Sequence, residues 1–217
     1  KIAVIGSTGS GKSTLVKLMN RFYDVSRGSI EINGVDIRKY NLESLRTQIG
    51  YVAQKAHMFK GSIQSNICFG KPEASVEEMV HAATVAQASD FISTREHGYE
   101  DEIAEDGTNI SGGQKQRLSI ARVILKKPSL YIYDDSFSAL DFKTDATLRK
   151  ALKPEVKNAI FFVVAQRIST IMDSDMIIVL DEGQIIGMGT HAQLLKDCSV
   201  YQEIAHSQLT QKELDDY

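Results

Sequence analysis

Residues 6–14 read Gly-Ser-Thr-Gly-Ser-Gly-Lys-Ser-Thr, a run suited to holding phosphate. Gly6, Gly9 and Gly11 let the backbone bend and turn successive N–H groups toward one anion. Ser7, Thr8, Ser10 and Thr14 complete the stretch. Lys12 offers a mobile cation to the β- and γ-phosphates of a nucleoside triphosphate, and the Ser13 hydroxyl can ligate Mg²⁺. Such a loop needs an apolar strand before it and a helix behind it, whose N-terminal partial positive charge favours the anion. Both are present: Ile2–Ile5 reads as the strand and Leu15–Asn20 as the helix, so the pattern G-x-x-x-x-G-K-[ST] stands in its required context. A second constellation follows far along the chain. Leu130-Tyr131-Ile132-Tyr133 is an apolar strand that ends in Asp134 and Asp135. By itself this is an acidic turn. Beside a phosphate loop, Asp134 becomes the carboxylate that holds the magnesium, usually through water.

The elements that must position these groups are legible as hydrophobic periodicity. Ile2–Ile5, Ile49–Val52, Leu130–Tyr133, Ile160–Val164 and Met176–Leu180 read as buried parallel strands with helical stretches between some of them. That alternation predicts an α/β fold with a covered, mostly parallel sheet. Ile30, Ile32, Val35 and Ile37 flank Asn33-Gly34, which predicts an antiparallel hairpin with a type I′ turn, and a second hairpin is expected around Glu182-Gly183. Residues 72–127 contain no good strand. Ser75-Val76-Glu77-Glu78 is a capping box whose helix should run through Ala86. Another helix should run from about Ser111 to Lys126, with Leu118, Ala121, Ile124 and Leu125 as its apolar stripe and Pro128 as its stop.

Bulk properties bound the function classes. The 217 residues suffice for one compact domain, and 42% hydrophobic with 24% charged residues is ordinary for a globular chain. The net charge of −3 gives no electrostatic case for nucleic acid as a partner. Cys68 and Cys198 lie far apart without metal-ligand spacing and read as small hydrophobes in a reducing compartment. No apolar run approaches the ~20 residues needed to cross a bilayer. The chain opens at Lys1, inside a strand and without an initiator Met, which reads as a cut from something longer.

Ile110-Ser111-Gly112-Gly113-Gln114, followed by Lys115-Gln116-Arg117, closely resembles the Leu-Ser-Gly-Gly-Gln signature of ATP-binding cassette (ABC) ATPases. Gln54 stands after the strand Ile49–Val52, where that family places its Q-loop glutamine, and Ser138-Ala139-Leu140-Asp141 matches its D-loop. The motifs occur in the family's order across essentially the whole chain. The resemblance implies a P-loop NTPase (RecA-like) core with an antiparallel hairpin region and an inserted helical subdomain. Residues 1–70 and 128–217 would form the core, and 71–127 the subdomain carrying the signature, within one N-terminally truncated nucleotide-binding domain. It also implies ATP and Mg²⁺ as cofactors, with Ser13, Gln54 and Asp134 toward the metal. Residues 6–14 would hold the chain's own ATP, while Ser111, Gly112, Gly113 and Gln114 would face the ATP of a second nucleotide-binding domain docked head to tail. Ser138 and Asp141 would lie at that dimer interface. Transmembrane domains, in the same or another chain, would be the other partner, and the location the cytoplasmic face of a membrane (the inner or plasma membrane in a bacterium). Phe59-Lys60-Gly61-Ser62-Ile63 with Asn66-Ile67, Glu105-Asp106-Gly107, and Gly189-Thr190-His191 are similar to exporter members in particular. The aromatic residue on which the family stacks adenine would precede Lys1, and Tyr23 and Tyr51 read as core or surface residues.

Two positions depart from the family. Asp135 stands where it has the glutamate that polarises the attacking water, a retreat of ~1.5 Å. Gln166, in Ala-Gln-Arg-Ile-Ser-Thr, stands where it has a histidine in a motif resembling Ala-His-Arg-Leu-Ser-Thr. Glutamine can donate a hydrogen bond to a γ-phosphate oxygen but cannot carry the charge or shuttle the proton. The five histidines, His57, His81, His97, His191 and His206, lie elsewhere and read as surface or packing residues. Together the departures resemble the degenerate subunit of a heterodimeric exporter, whose own site is slow and whose intact signature completes a partner's site. The competing readings are a homodimeric exporter domain with altered catalytic residues, a non-transport ABC ATPase acting on DNA or ribosomes, and a regulatory module that only binds nucleotide.

Overall fold

The computed structural model describes residues 1–210 and Leu214. In chain order the first elements are β1 (Ile2–Gly6), α1 (Lys12–Met19), β2 (Glu31–Ile32), β3 (Val35–Asp36), α2 (Leu42–Gln48), β4 (Ile49–Val52) and β5 (Gly61–Ser62). Then come α3 (Ile63–Cys68), α4 (Val76–Val85), α5 (Ser89–Ser93), β6 (Glu102–Ile103), α6 (Gly112–Lys126), β7 (Leu130–Asp134) and α7 (Phe142–Glu155). The last are β8 (Ile160–Val164), α8 (Ile168–Ile171), β9 (Met176–Asp181), β10 (Gln184–Gly189), α9 (His191–Asp197) and α10 (Ser199–Gln208). The fold is α/β with a mostly parallel sheet, as the alternating apolar runs predict.

The chain forms two compact units. The first comprises Lys1–Thr47, Ile132–Asp135 and the chain from Ile160 onward. Its strands lie in the order β10, β9, β1, β8, β7. β1 pairs in parallel with β8 on one side (Ala3 beside Val163) and with β9 on the other (Ala3 beside Ile177). This central place explains why β1 is apolar without alternation: Ala3, Val4 and Ile5 are at most 1% exposed. Edge-on contact of Tyr133 with Phe161, centroids 5.0 Å apart, packs the neighbouring strands. Both expected hairpins are present. Asn33 and Gly34 take φ of 53° and 75° between β2 and β3, the I′ signature, and Glu182 and Gly183 take 45° and 79° between β9 and β10.

The second unit comprises Gln48–Tyr131 and Ser136–Ala159 and is mainly helical. Ser75 caps α4 with the expected reciprocal capping box to Glu78, and the helix ends at Ala86. Ser111 caps α6 in the same way with Gln114. The expectation that residues 72–127 hold no strand needs correction: Glu102 and Ile103 form β6, antiparallel to Gly61 and Ser62. Two residues are too few to show a period, and their partner lies some 40 positions away. Helix α1 begins at Lys12 rather than at Leu15, directly after Gly11 in left-handed conformation (φ 100°).

Candidate nucleotide-binding site

The first unit gathers the phosphate loop, both aspartates and Gln166. β1 delivers the loop, and its curvature demands small residues. A Cβ at Gly6 would sit 2.0 Å from the Leu180 carbonyl oxygen of β9, so the strand-to-loop exit admits only glycine without a shift. Gly9 is left-handed (φ 86°) and open on the side a Cβ would occupy. The β9–β10 turn braces the loop from below. Ser7 Oγ lies 3.3 Å from Asp181 Oδ1, and the Gly183 N–H donates to Ser10 O at 3.1 Å. Thr8 and Thr14 are exposed, and Ser10 is buried.

Lys12 folds back over this loop. Its Nζ donates to Gly6 O at 2.9 Å, Ser7 O at 2.7 Å and Ser10 Oγ at 3.3 Å. Burial pulls its pKa below the ordinary lysine value, opposed by the charges of Asp135 and Asp134. Ser13 Oγ donates to Asp134 Oδ1 at 3.2 Å, so the hydroxyl expected at a magnesium and the carboxylate expected beside it already share one point. These hard oxygen donors fit Mg²⁺, which is commonly held by one or two protein oxygens with phosphate and water completing the shell. Among the described residues no cluster of three or more His, Cys, Asp or Glu forms a metal cage.

Asp135 follows in left-handed conformation (φ 48°), which Asp tolerates better than most residues, and its N–H donates to Val164 O of β8 at 2.8 Å. Its carboxylate is buried (8% exposed) and accepts from Gln166 Nε2 at 2.8 Å. The two positions that depart from the family therefore touch each other directly, a contact between residues 31 apart in sequence.

The second unit holds the other predicted residues. Gln114 N donates to Ser111 Oγ at 3.2 Å, and Gln114 Oε1 accepts from Ser111 N at 2.9 Å. Ser111 Oγ is thus an acceptor toward its own helix, and its O–H proton remains available to an external oxygen. Gly112 is exposed, and a Cβ added there would meet nothing within 4 Å, whereas one at Gly113 would meet Ala139 O of the D-loop at 3.3 Å. Gly112 thus faces outward and Gly113 packs inward, a distinction the sequence did not offer. Asp141 caps α7, accepting from Thr144 N at 2.9 Å and Thr144 Oγ1 at 2.7 Å, and these bonds hold its pKa below the usual carboxylate range. Ser138 is exposed. Gln54 is exposed at the end of β4, and buried Gln116 of α6 fixes its neighbour by donating to Ala53 O at 3.1 Å.

The exporter-like stretch has a structural account. Asn66 Nδ2 donates to Phe59 O at 2.8 Å and Asn66 Oδ1 accepts from Phe59 N at 2.9 Å, which closes residues 59–66 into a loop. Phe59 stacks on Phe69 at 4.4 Å, and Arg122 lies over both rings. Of the histidines, His191 is buried with Nδ1 2.7 Å from the Tyr201 hydroxyl, and His81 lies 2.9 Å from Glu155. Both are packing or surface partners. Tyr23 is 64% exposed, and Cys198 is buried.

Residues 1–138 match the ABC transporter family. An uncharacterized ABC transporter ATP-binding protein of Mycobacterium bovis is 46% identical over 209 residues, 95% of this chain and 36% of that protein. A fatty acid ABC transporter ATP-binding/permease protein of the same organism is 40% identical over 206 residues, 95% of this chain and 33% of that protein. The solved structure of a bacterial Atm1-family ABC exporter with ATP bound superposes with a TM-score of 0.93 at 38% identity, covering 95% of this chain and 36% of that one. The chain thus spans about a third of the length of the relatives it matches. From the phosphate loop, the signature helix and these likenesses, the chain belongs to the ABC transporter family, as an ATP-binding domain of the exporter type.

Proposed function

We propose that this chain binds Mg-ATP to drive an ABC exporter, and that its own hydrolytic site is the slow member of an unequal pair. The observation that carries the second part is the 2.8 Å hydrogen bond from Gln166 to Asp135. In this reading Lys12 and the N–H groups of the loop bind the β- and γ-phosphates. Ser13 and Asp134 and, by the family resemblance, Gln54 would hold the magnesium, which would neutralise charge on the transferring phosphoryl group. Asp135 is one methylene short of a water-activating glutamate. The Gln166 amide N–H occupies one oxygen of that carboxylate, Oδ2, which is then not free to orient a water. Gln166 stays neutral and can hold the γ-phosphate but cannot relay a proton. Misplacement of about 1 Å in such a group can cost about 10²-fold in rate.

The signature serves the opposite role. Ser111 with its available O–H, the outward Gly112 and the N-terminal N–H groups of α6 would contact the ATP held by a second, different nucleotide-binding domain. Residues 71–127 would act as the helical subdomain that carries this surface, and the D-loop Ser138 and Asp141 would line the same interface. Transmembrane domains would receive the closing motion at the cytoplasmic face of a membrane. No helix among the described residues is long and apolar enough to cross a membrane.

The test uses the assembled transporter with single changes in this chain. Gly112→Asp fits the chain without an internal clash and places a carboxylate against the partner's γ-phosphate. It is expected to lower steady-state ATP turnover by about 10²-fold or more. Lys12→Ala should lower it less, because the nucleotide it loosens is mostly structural. If Lys12→Ala abolishes turnover while Gly112→Asp leaves it intact, the assignment of roles is wrong. If both abolish it, the assembly is a homodimer with two equal sites.

A further inference from the structure

The loop that carries Gln166 leaves two backbone groups to be satisfied from outside. Up to Ala165 the chain is in the sheet, where the Ala165 N–H donates to Val4 O at 3.1 Å. Helix α8 then begins at Ile168, with Arg167 as an N-cap that makes no side-chain capping bond. The carbonyl of Gln166 and the N–H of Ile168 fall between these ladders. One side chain takes both. Gln208, the last residue of α10, donates from Nε2 to Gln166 O at 2.8 Å and accepts at Oε1 from Ile168 N at 2.9 Å. This two-point grip resembles one rung of a β-ladder and fixes the plane of the 166–168 backbone. The helix that offers it is itself anchored, since Tyr201 and Ala205 are fully buried and the Tyr201 hydroxyl meets His191. From that fixed backbone the Gln166 side chain reaches Asp135.

We propose that Gln208 is a positioning residue that aims Gln166 at Asp135, so that the C-terminal helix α10 sets the geometry of this pair. Its consequence for catalysis rests on the slow-site reading given above. The geometry itself does not. A long side chain held only at its tip wanders, whereas one whose own backbone is gripped on both sides keeps its hydrogen bond. The same logic governs outer residues that orient the ligands of a metal or the groups of an active site.

The experiment uses the full 217-residue chain labelled uniformly with ¹⁵N, with the Gln166 side-chain amide signals identified by their loss in Gln166→Ala. Gln208→Leu removes both bonds. The Gln166 signals should move to free-amide positions, and the amide protons should exchange about fivefold faster, the effect of losing one ordinary hydrogen bond. Gln208→Glu separates positioning from helix support. Its carboxylate still accepts from Ile168 N–H, so backbone protection at Ile168 should stay near wild type. It has no donor for Gln166 O, so the Gln166 signals should shift as in the leucine variant. Unmoved Gln166 signals in the glutamate variant would overturn the proposal and reduce Gln208 to a cap for α8. That variant also decides the matter if Gln208→Leu fails to fold. The slow-site reading fails separately, when Asp135→Glu with Gln166→His does not raise turnover, and the wild-type Gln166 resonances do not depend on that outcome.

Discussion

Lys12 is the residue on which sequence and structure bear most directly. Its ammonium sits among Gly6 O, Ser7 O and Ser10 Oγ, partly desolvated, and is held in the loop by these three bonds. Hydrogen bonds to charged groups contribute about 1.5–3 kcal/mol. Lys12→Ala should therefore weaken Mg-ATP binding about ten- to a hundredfold, read by titration with a fluorescent analogue; equal affinities would refute its role. Asp135 and Gln166 act as a unit through their shared bond. In the assembly, Asp135→Glu with Gln166→His should raise turnover at this site by up to about 10²-fold, and either change alone should do less. A different residue sets a pH response. Burial lowers the pKa of His191 from its ordinary 6.5, so the folded state binds its proton less readily than the unfolded state does. The stability this contributes is present above pH 6.5 and is lost as the pH falls through that value toward the folded pKa. His191→Gln should flatten the fall in denaturation midpoint across that window.

At the scale of elements, helix caps and tight approaches decide most of the local structure. Ser75 and Ser111 cap α4 and α6 with the same reciprocal box. Ser75→Ala should cost about 1 kcal/mol of stability and nothing in turnover. Ser111→Ala should cost a similar stability and also lower turnover of the assembled transporter, if its hydroxyl has the proposed second task at the partner's nucleotide. Denaturant midpoints and ATPase rates on both variants check this. Asp141 holds α7 with its pKa depressed by the bonds from Thr144, so this cap persists above the usual carboxylate range and is lost as the pH falls through the folded value. Gly6→Ala would drive a Cβ onto Leu180 O. It should destabilise the first unit by about 1–3 kcal/mol whether or not nucleotide is present. The hairpins at Asn33-Gly34 and Glu182-Gly183 were legible because the turn chemistry is local. The pairing of β6 with β5 was not, because two residues carry no period.

For the molecule as a whole, each compact unit carries one set of the residues proposed to act. The first has the phosphate loop, Asp134, Asp135 and Gln166, and the second has Gln54, the signature and the D-loop. This division gives a test on the chain by itself. Mg-ATP at about 100 times its Kd should stabilise the folded chain by about 2.7 kcal/mol. At the same Mg-ATP concentration Lys12→Ala should cut that shift to about 0.4–1.4 kcal/mol, and Gly112→Asp should leave it unchanged if, as proposed, the signature serves a nucleotide bound elsewhere. A thermal melt with and without Mg-ATP reads both. Loss of the shift in Gly112→Asp would mean that the signature contacts the chain's own nucleotide.

The family, the parallel strands, both hairpins and the two capped helices could be read from residue order. Each of these depends on neighbours within a few positions, where spacing and side-chain chemistry are fully written in the chain. Folding in three dimensions was needed to reveal how Lys12 packs, that Gly112 faces outward while Gly113 meets Ala139, that Gln166 bonds Asp135, and that Gln208 grips the backbone on either side of Arg167. Those relations join residues as much as 42 positions apart. They depend on which strand ends lie side by side and which helix face is buried, and the order of residues along a chain carries no direct record of either.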